Sequence, residues 1–295
     1  MRYFRFFMFF VLVLLCCATI SMAQTAKKTY RDLTGQDFVT KDGVSLTVSY
    51  YPGNKGKETV PVILLHDENG NRRSLHSLAN YLQANGCSVI VPDLRGYGDS
   101  NHDMKGKEVK PVPISPKSIE VLVAMDIEQC KRYLTTQNDD EKLNLQKLCV
   151  IGVGEMGCSL ALAYTAYDWS WGASGKRVKA VGLISPSRNV NGVVTQRMIT
   201  KDMGANLNTM ILFGEDDTDA AKNAKMIYKL FEKGRPSDAK QEAADRTLFV
   251  IGLPTTLQSA KLLDNPGLPV EKRLAKFIEL RLQSKEIFWK PIRNK

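Results

Sequence analysis

Residues Leu148 to Leu162 read LCVIGVGEMGCSLAL, and this stretch decides the fold. Leu148 to Val153 is an apolar run of strand length. A glycine-rich corner follows at once, and Gly157-Cys158-Ser159-Leu160-Ala161-Leu162 continues as a helix of small and apolar residues. A buried strand that turns straight into such a helix brings two backbones close together, so small residues gather there. Two registers fit the corner. With Glu155 at its apex, the flanking positions are Val153 and Gly157, and the helix follows without a gap; this is the preferred register. With Gly154 at the apex, the flanks are Gly152 and Met156, and glycine relieves the positive φ that the turn imposes. Neither register places Ser, Cys or Asp at the apex.

Working outward, Val60 to His66 (VPVILLH) is a second buried strand, followed by an amphipathic helix over Ser74 to Asn85, capped by Gly86. Cys87 to Val91 is the next strand. Asp37 to Thr40 and Val44 to Tyr51 read as a hairpin across Lys41-Asp42-Gly43. Asn101 to Lys117, rich in Lys and Pro, is an exposed excursion. Further on, the pattern predicts a helix over Ile119 to Leu134 and strands over Val178 to Ile184, Thr209 to Phe213 and Thr247 to Leu253. Helices are expected over Ala220 to Glu232 and, closing the chain, Leu268 to Ser284. Such alternation implies an α/β fold with a mostly parallel central sheet and helices on both faces. Arg188 to Leu207 is too short for a large cap domain.

LLHDENGNRRS followed by VPDLRGYGDS, together with the strand–turn–helix at Leu148 to Leu162, resembles the α/β-hydrolase superfamily in its esterase or dienelactone-hydrolase-like branch. The resemblance runs from about Asp37 to Leu282. It implies a nucleophile elbow, usually G-x-S-x-G, at the corner, where the preferred register puts Glu155. It implies an acid after the strand ending in Phe213, and Gly214-Glu215-Asp216-Asp217 supplies Asp217. It implies a histidine after Leu253, yet Pro254 to Lys261 contains none, and no histidine follows His102. A serine–histidine relay needs an imidazole that takes and returns a proton; Thr256 and Gln258 cannot, and Lys261 could only with a strongly depressed pKa. The resemblance also implies an oxyanion loop after the first buried strand. Here His66 is followed by Asp67 and Glu68, whose carboxylates oppose a developing negative charge, and Met156 stands beside the elbow. His66 is expected to be structural, while His76 and His102 are expected to be solvated.

Asp67, Glu68, Asp93, Asp99, Glu155, Glu215, Asp216 and Asp217 all fall at the carboxyl ends of strands, where ligands of such sheets bind. Most are expected to be solvated or to cap helices, with Asp93 and Asp99 bracing Arg95; the sharper alternative is a crevice for Ca²⁺, a polyamine or a basic peptide. The three histidines lack metal-ligand spacing, so no metal site is read, and no cofactor is called for.

The chain has 295 residues and a net charge of +10. Arg2 and Arg5, the apolar run Phe6 to Ile20 and the small-x-small Ser21-Met22-Ala23 form a secretory signal peptide, cleaved after Ala23. The run falls short of the roughly 20 residues that span a bilayer, and Leu15 before Cys16 argues against lipidation. The division is therefore signal peptide 1–23, lead-in 24–36, α/β-hydrolase-like domain 37–286 and tail 287–295. A secreted or periplasmic location follows, with no stable membrane anchor after cleavage. The basic balance comes without a basic helix or an aromatic-interleaved patch, so nucleic acid is not a partner. Cys87, Cys130, Cys149 and Cys158 are expected to be buried free thiols. The functional expectation is a non-hydrolytic binding or structural pseudo-hydrolase with an unidentified ligand or protein partner in the crevice. The alternative is an esterase-like hydrolase of a carboxylic ester or amide with an unconventional nucleophile or base.

Overall fold

Eight strands form one sheet, and its central members are apolar throughout because both faces are covered. The computed structural model describes residues 29–172, 175–233, 235 and 245–293; the expected signal peptide lies outside the described residues. The strands are β1 (Arg31–Leu33), β2 (Val48–Tyr51), β3 (Val60–Leu65), β4 (Cys87–Pro92), β5 (Leu148–Val153), β6 (Val178–Ile184), β7 (Asn208–Gly214) and β8 (Leu248–Leu253). Their spatial order is β1-β2-β4-β3-β5-β6-β7-β8. β1 and β2 run antiparallel to their neighbours, and every pair from β4 to β8 is parallel. Every residue of β3, β4 and β5 is buried, as parallel strands between two helical layers require.

Helices α1 (His76–Ala84) and α5 (Val270–Ile278) cover one face. Helices α2 (Glu128–Asp139), α3 (Gly154–Ser170) and α4 (Thr218–Glu232) cover the other. Each buries the stripe that its spacing dictates: in α5, Val270, Leu274, Phe277 and Ile278 are buried at i, i+4, i+7 and i+8. Between β6 and β7 lie the ribbon Asn189–Val190 with Val193–Val194, a tight helical turn at Thr195–Arg197 and the short helix Lys201–Asn206, so no large cap covers the strand ends.

Two boundaries differ from the sequence reading. β1 falls inside the expected lead-in and forms the sheet edge. The expected hairpin does turn at Gly43 (φ 87°), with Val39 bridged to Ser45, the Thr40 N–H on the Val44 carbonyl (2.9 Å) and the Leu46 N–H on the Phe38 carbonyl (2.9 Å). Its first arm begins as a tight helical turn at Gln36–Phe38, and Val44–Ser45 pairs on its other side with His102–Asp103. The tail is tied down as well: Asn144 donates to the Ile287 carbonyl (2.8 Å), and Asp139 accepts the Ile292 N–H (2.8 Å).

The chain before α2 is helical from Ser118, with widened turns at Leu122–Ile127. Those turns carry Asp126, which is wholly buried, onto Arg95, itself 6% exposed. Asp126 accepts the Arg95 backbone N–H (2.9 Å) and two guanidinium bonds (2.8 and 2.6 Å), while Asp42 takes the remaining side of the fork (2.6 Å). Removing one member of such a buried pair strands a charge. Asp126→Ala is therefore expected to cost about 3–5 kcal/mol in urea unfolding. A loss below about 1 kcal/mol would show that water reaches Arg95 and that the pair is not sealed.

Candidate functional site

The corner between β5 and α3 fixes the geometry. α3 begins at Gly154, which is left-handed with φ 75°; Glu155 is the second residue of the helix and is exposed. The preferred register is corrected on this point: the apex is Gly154, because the backbone takes positive φ there and not at Glu155. Gly152 and Gly157 are required by contact. A Cβ on Gly152 would meet the Gly157 carbonyl, and one on Gly157 would meet the Leu65 carbonyl of β3. Met156 is buried, and its thioether accepts the Tyr97 hydroxyl at 3.8 Å.

The Asp67 carboxylate sits directly over the apex. Its Oδ1 accepts the backbone N–H groups of Met156 (3.1 Å) and Glu68 (3.0 Å), and its Oδ2 accepts the Ser259 hydroxyl (3.1 Å). A Cβ on Gly154 would overlap that carboxylate. The placement is favourable, since the first N–H groups of a helix lack intrahelical acceptors and its N-terminus carries partial positive charge. Asp67 thus caps α3 from a different strand. Ser259 reaches it from the loop after β8, held by its own N–H donating to Ser185 Oγ (2.8 Å). Ser259 and Ser185 are both left-handed (φ 54° and 56°), a conformation that costs a non-glycine residue and persists only where the surroundings impose it.

His66 is fully buried, donating from Nδ1 to the Asp67 carbonyl (2.7 Å) and accepting the Leu94 N–H at Nε2 (3.2 Å). Burial pushes its pKa below 6.5, against the partial opposition of that carbonyl and of Asp93 and Asp67. It holds the loop as a neutral imidazole. Glu68 is exposed. The Glu155 carboxyl is pushed up from the usual carboxylate range, first by desolvation, then by Asp67 and, less, by Glu68, with the Ser187 hydroxyl opposing. Asp217 is the N-cap of α4, accepting the N–H groups of Asp219 (3.1 Å) and Ala220 (3.0 Å). Gln258 clips the β8 loop to Gly214, donating to its carbonyl at 2.9 Å, and Lys261 is exposed.

Other expectations need revision. Asp93 and Asp99 brace Arg72 rather than Arg95: Asp93 accepts the Arg72 N–H (2.7 Å) and pairs with its guanidinium, and Asp99 pairs with Arg72 at 2.7 Å. With Asp93 and Asp99 paired to Arg72 and Asp217 capping a helix, the strand-end acids that remain near one another are Asp67, Glu68 and Glu155. Among the described residues no three His, Cys, Asp or Glu side chains are placed to hold a metal ion. His76 is not simply solvated; it bonds the Tyr51 hydroxyl and Asn80, each at 2.8 Å. All four cysteines are free and buried. Burial pushes the Cys158 thiol well above its ordinary pKa, and its Sγ donates to the carbonyls of Gly152 (3.2 Å) and Ile184 (3.3 Å), so it is no thiolate nucleophile. Among the described residues no helix is long and apolar enough to cross a membrane.

Two outcomes follow from this geometry. Gly154→Ser should lower stability by about 1–3 kcal/mol through overpacking, and Asp67→Ala in the same chain should recover most of that loss. Strictly additive denaturation midpoints in the double-mutant cycle would mean that the carboxylate is not what the new side chain meets. For His66, the unfolded chain takes up its proton near pH 6.5 while the folded imidazole resists. Stability is therefore complete above that pH and is lost as pH falls below it, by up to about 1.4 kcal/mol per unit. Urea midpoints between about pH 7.5 and about pH 5.5 should show this slope, and His66→Gln should flatten it.

The family described as the alpha/beta hydrolase fold matches residues 60–263. No curated protein sequence matches the chain. Among solved structures, a dienelactone hydrolase from Anabaena variabilis is 13% identical, with a TM-score of 0.55 over 86% of this chain and 99% of that one. An esterase from Pyrococcus furiosus is 15% identical, with a TM-score of 0.60 over 86% and 91%. A hyperthermophilic esterase from Pyrobaculum calidifontis is 13% identical, with a TM-score of 0.59 over 85% of each chain. The family match, the strand order and the strand–glycine corner–helix at Gly154 agree, and the chain belongs to the α/β-hydrolase fold family.

Proposed function

We propose that this protein is an exported, non-hydrolytic member of the fold, whose strand-end crevice binds a ligand or partner rather than cleaving an ester. One observation carries the reading: the Asp67 carboxylate fills the space above Gly154 where an attacking side chain would stand. Acyl transfer also needs backbone donors free to receive an oxyanion. Here a carboxylate already occupies the start of α3, accepting the Met156 N–H, and Glu68 and Glu155 add negative charge beside it. The loop after β8 brings Ser259 to this point in place of an imidazole. Export rests on the basic, apolar and small-x-small order of residues 1–23.

The structural relatives favour a second reading, an esterase-like hydrolase, and one contact gives it a form. The Ser259 hydroxyl already donates to Asp67 at 3.1 Å, which is the nucleophile-to-base spacing of covalent catalysis. A carboxylate is a weak base for a hydroxyl near neutral pH, so this pair ranks second.

A fluorophosphonate probe and a panel of p-nitrophenyl esters separate the two. The first reading expects neither labelling nor turnover above the uncatalysed rate. Stoichiometric labelling of Ser259, with turnover abolished by Ser259→Ala, would replace it with the second.

A further inference from the structure

We infer that the groove between the β1 edge of the sheet and α2 is a binding site for a phosphate or sulfate group, free or carried on a small polar molecule. The groove has a volume of about 580 Å³, and none of its lining residues belongs to the corner at Gly154. Arg31 enters from β1, Arg132 from α2 and Arg293 from the tail, with Lys142 at one end. Asp37 is the single acidic residue among the lining. Lys142 pairs with Asp140 at 2.9 Å, but among the described residues no carboxylate lies within ion-pair distance of the three guanidinium groups. Asp139, close to Arg293 in space, spends its carboxylate on the backbone N–H groups of Ile292 (2.8 Å) and Arg293 (3.3 Å). Arg31 lies over the Tyr50 ring at 5.9 Å, and Arg132 donates to Gln129 at 3.3 Å; both contacts leave most of each donor fork open.

Two buried glutamines of α2, Gln129 and Gln137, also line the groove, and Gln129 donates to the Asp37 carbonyl at 2.8 Å. Three planar forks from separate segments suit a tetrahedral oxyanion with several acceptor oxygens. The lining carries a net positive charge, so an anion entering it relieves repulsion among the arginines.

The test is thermal-shift and calorimetric titration of the purified protein with inorganic phosphate, sulfate, glucose 6-phosphate and glucose, at constant ionic strength set with sodium chloride. A saturable stabilisation by phosphate or sulfate is expected if the ligand is the free ion. Stabilisation by glucose 6-phosphate alone would place the group on a carrier. Arg132→Gln and Arg293→Gln should each weaken binding by about tenfold or more. Lys276→Gln, in a separate lysine-bearing groove at α5, should leave affinity unchanged. The inference is overturned if no anion gives a saturable shift, if glucose alone matches glucose 6-phosphate, or if Lys276→Gln weakens binding as much as Arg132→Gln.

Discussion

Helix α3 crosses β5 and β3 so closely that two of its contacts leave no room for a side chain. Gly152 faces the Gly157 carbonyl, and Gly157 faces the Leu65 carbonyl. This approach makes the chain reverse within a single residue, and Gly154 absorbs the turn at φ 75°. The N-terminus of α3 is thereby brought against the loop that follows β3. The sheet order, with β3 and β5 side by side at its centre, makes this the meeting point of loops from β3, β5, β6 and β8.

Charge is handled differently at the two ends of this arrangement. In the interior two arginines are locked to carboxylates: Arg95 to Asp126 and Asp42, Arg72 to Asp93 and Asp99. Such pairs gain little net stability over apolar packing, but they tolerate no loss of one member. They fix the loop after β4 relative to the hairpin turn at Gly43 and the widened turns before α2. At the strand-end rim the carboxylates are held by backbone N–H groups instead, Asp67 by Met156 and Glu68, and Asp217 by Asp219 and Ala220. The rim is acidic by residue type, and two of its acids, Asp67 and Asp217, are spent on capping helices.

Much of the fold was legible because it rests on short-range patterns. The apolar runs of β3, β5 and β6 and the stripe of α5 are periodicities that a sequence displays directly. β1 was not, since a three-residue edge strand with two exposed positions has no apolar signature. The hairpin turn at Gly43 was readable from its turn chemistry, and Val39 does pair with Ser45; the second partner of Val44–Ser45, at His102–Asp103 far along the chain, was not. In the site, the absence of Ser and His at the expected places was plain. The register was misjudged because helix continuity was weighed above the steric demand for glycine at positive φ. Ser259 and the exact use of Asp67 carried no local signal, since a hydroxyl reaching a carboxylate 192 positions away is decided by the fold alone.

The overlap between a Cβ at position 154 and the carboxylate at position 67 also constrains how such a sequence changes over descent. The two groups compete for one volume, so a side chain at 154 and an acid at 67 are costly together. A lineage can acquire a side chain at 154 only after position 67 has lost its acid or its loop has moved, and an acid can settle at 67 only where 154 is already glycine. The cheaper order of substitutions is thereby set by exclusion between two residues far apart in the chain.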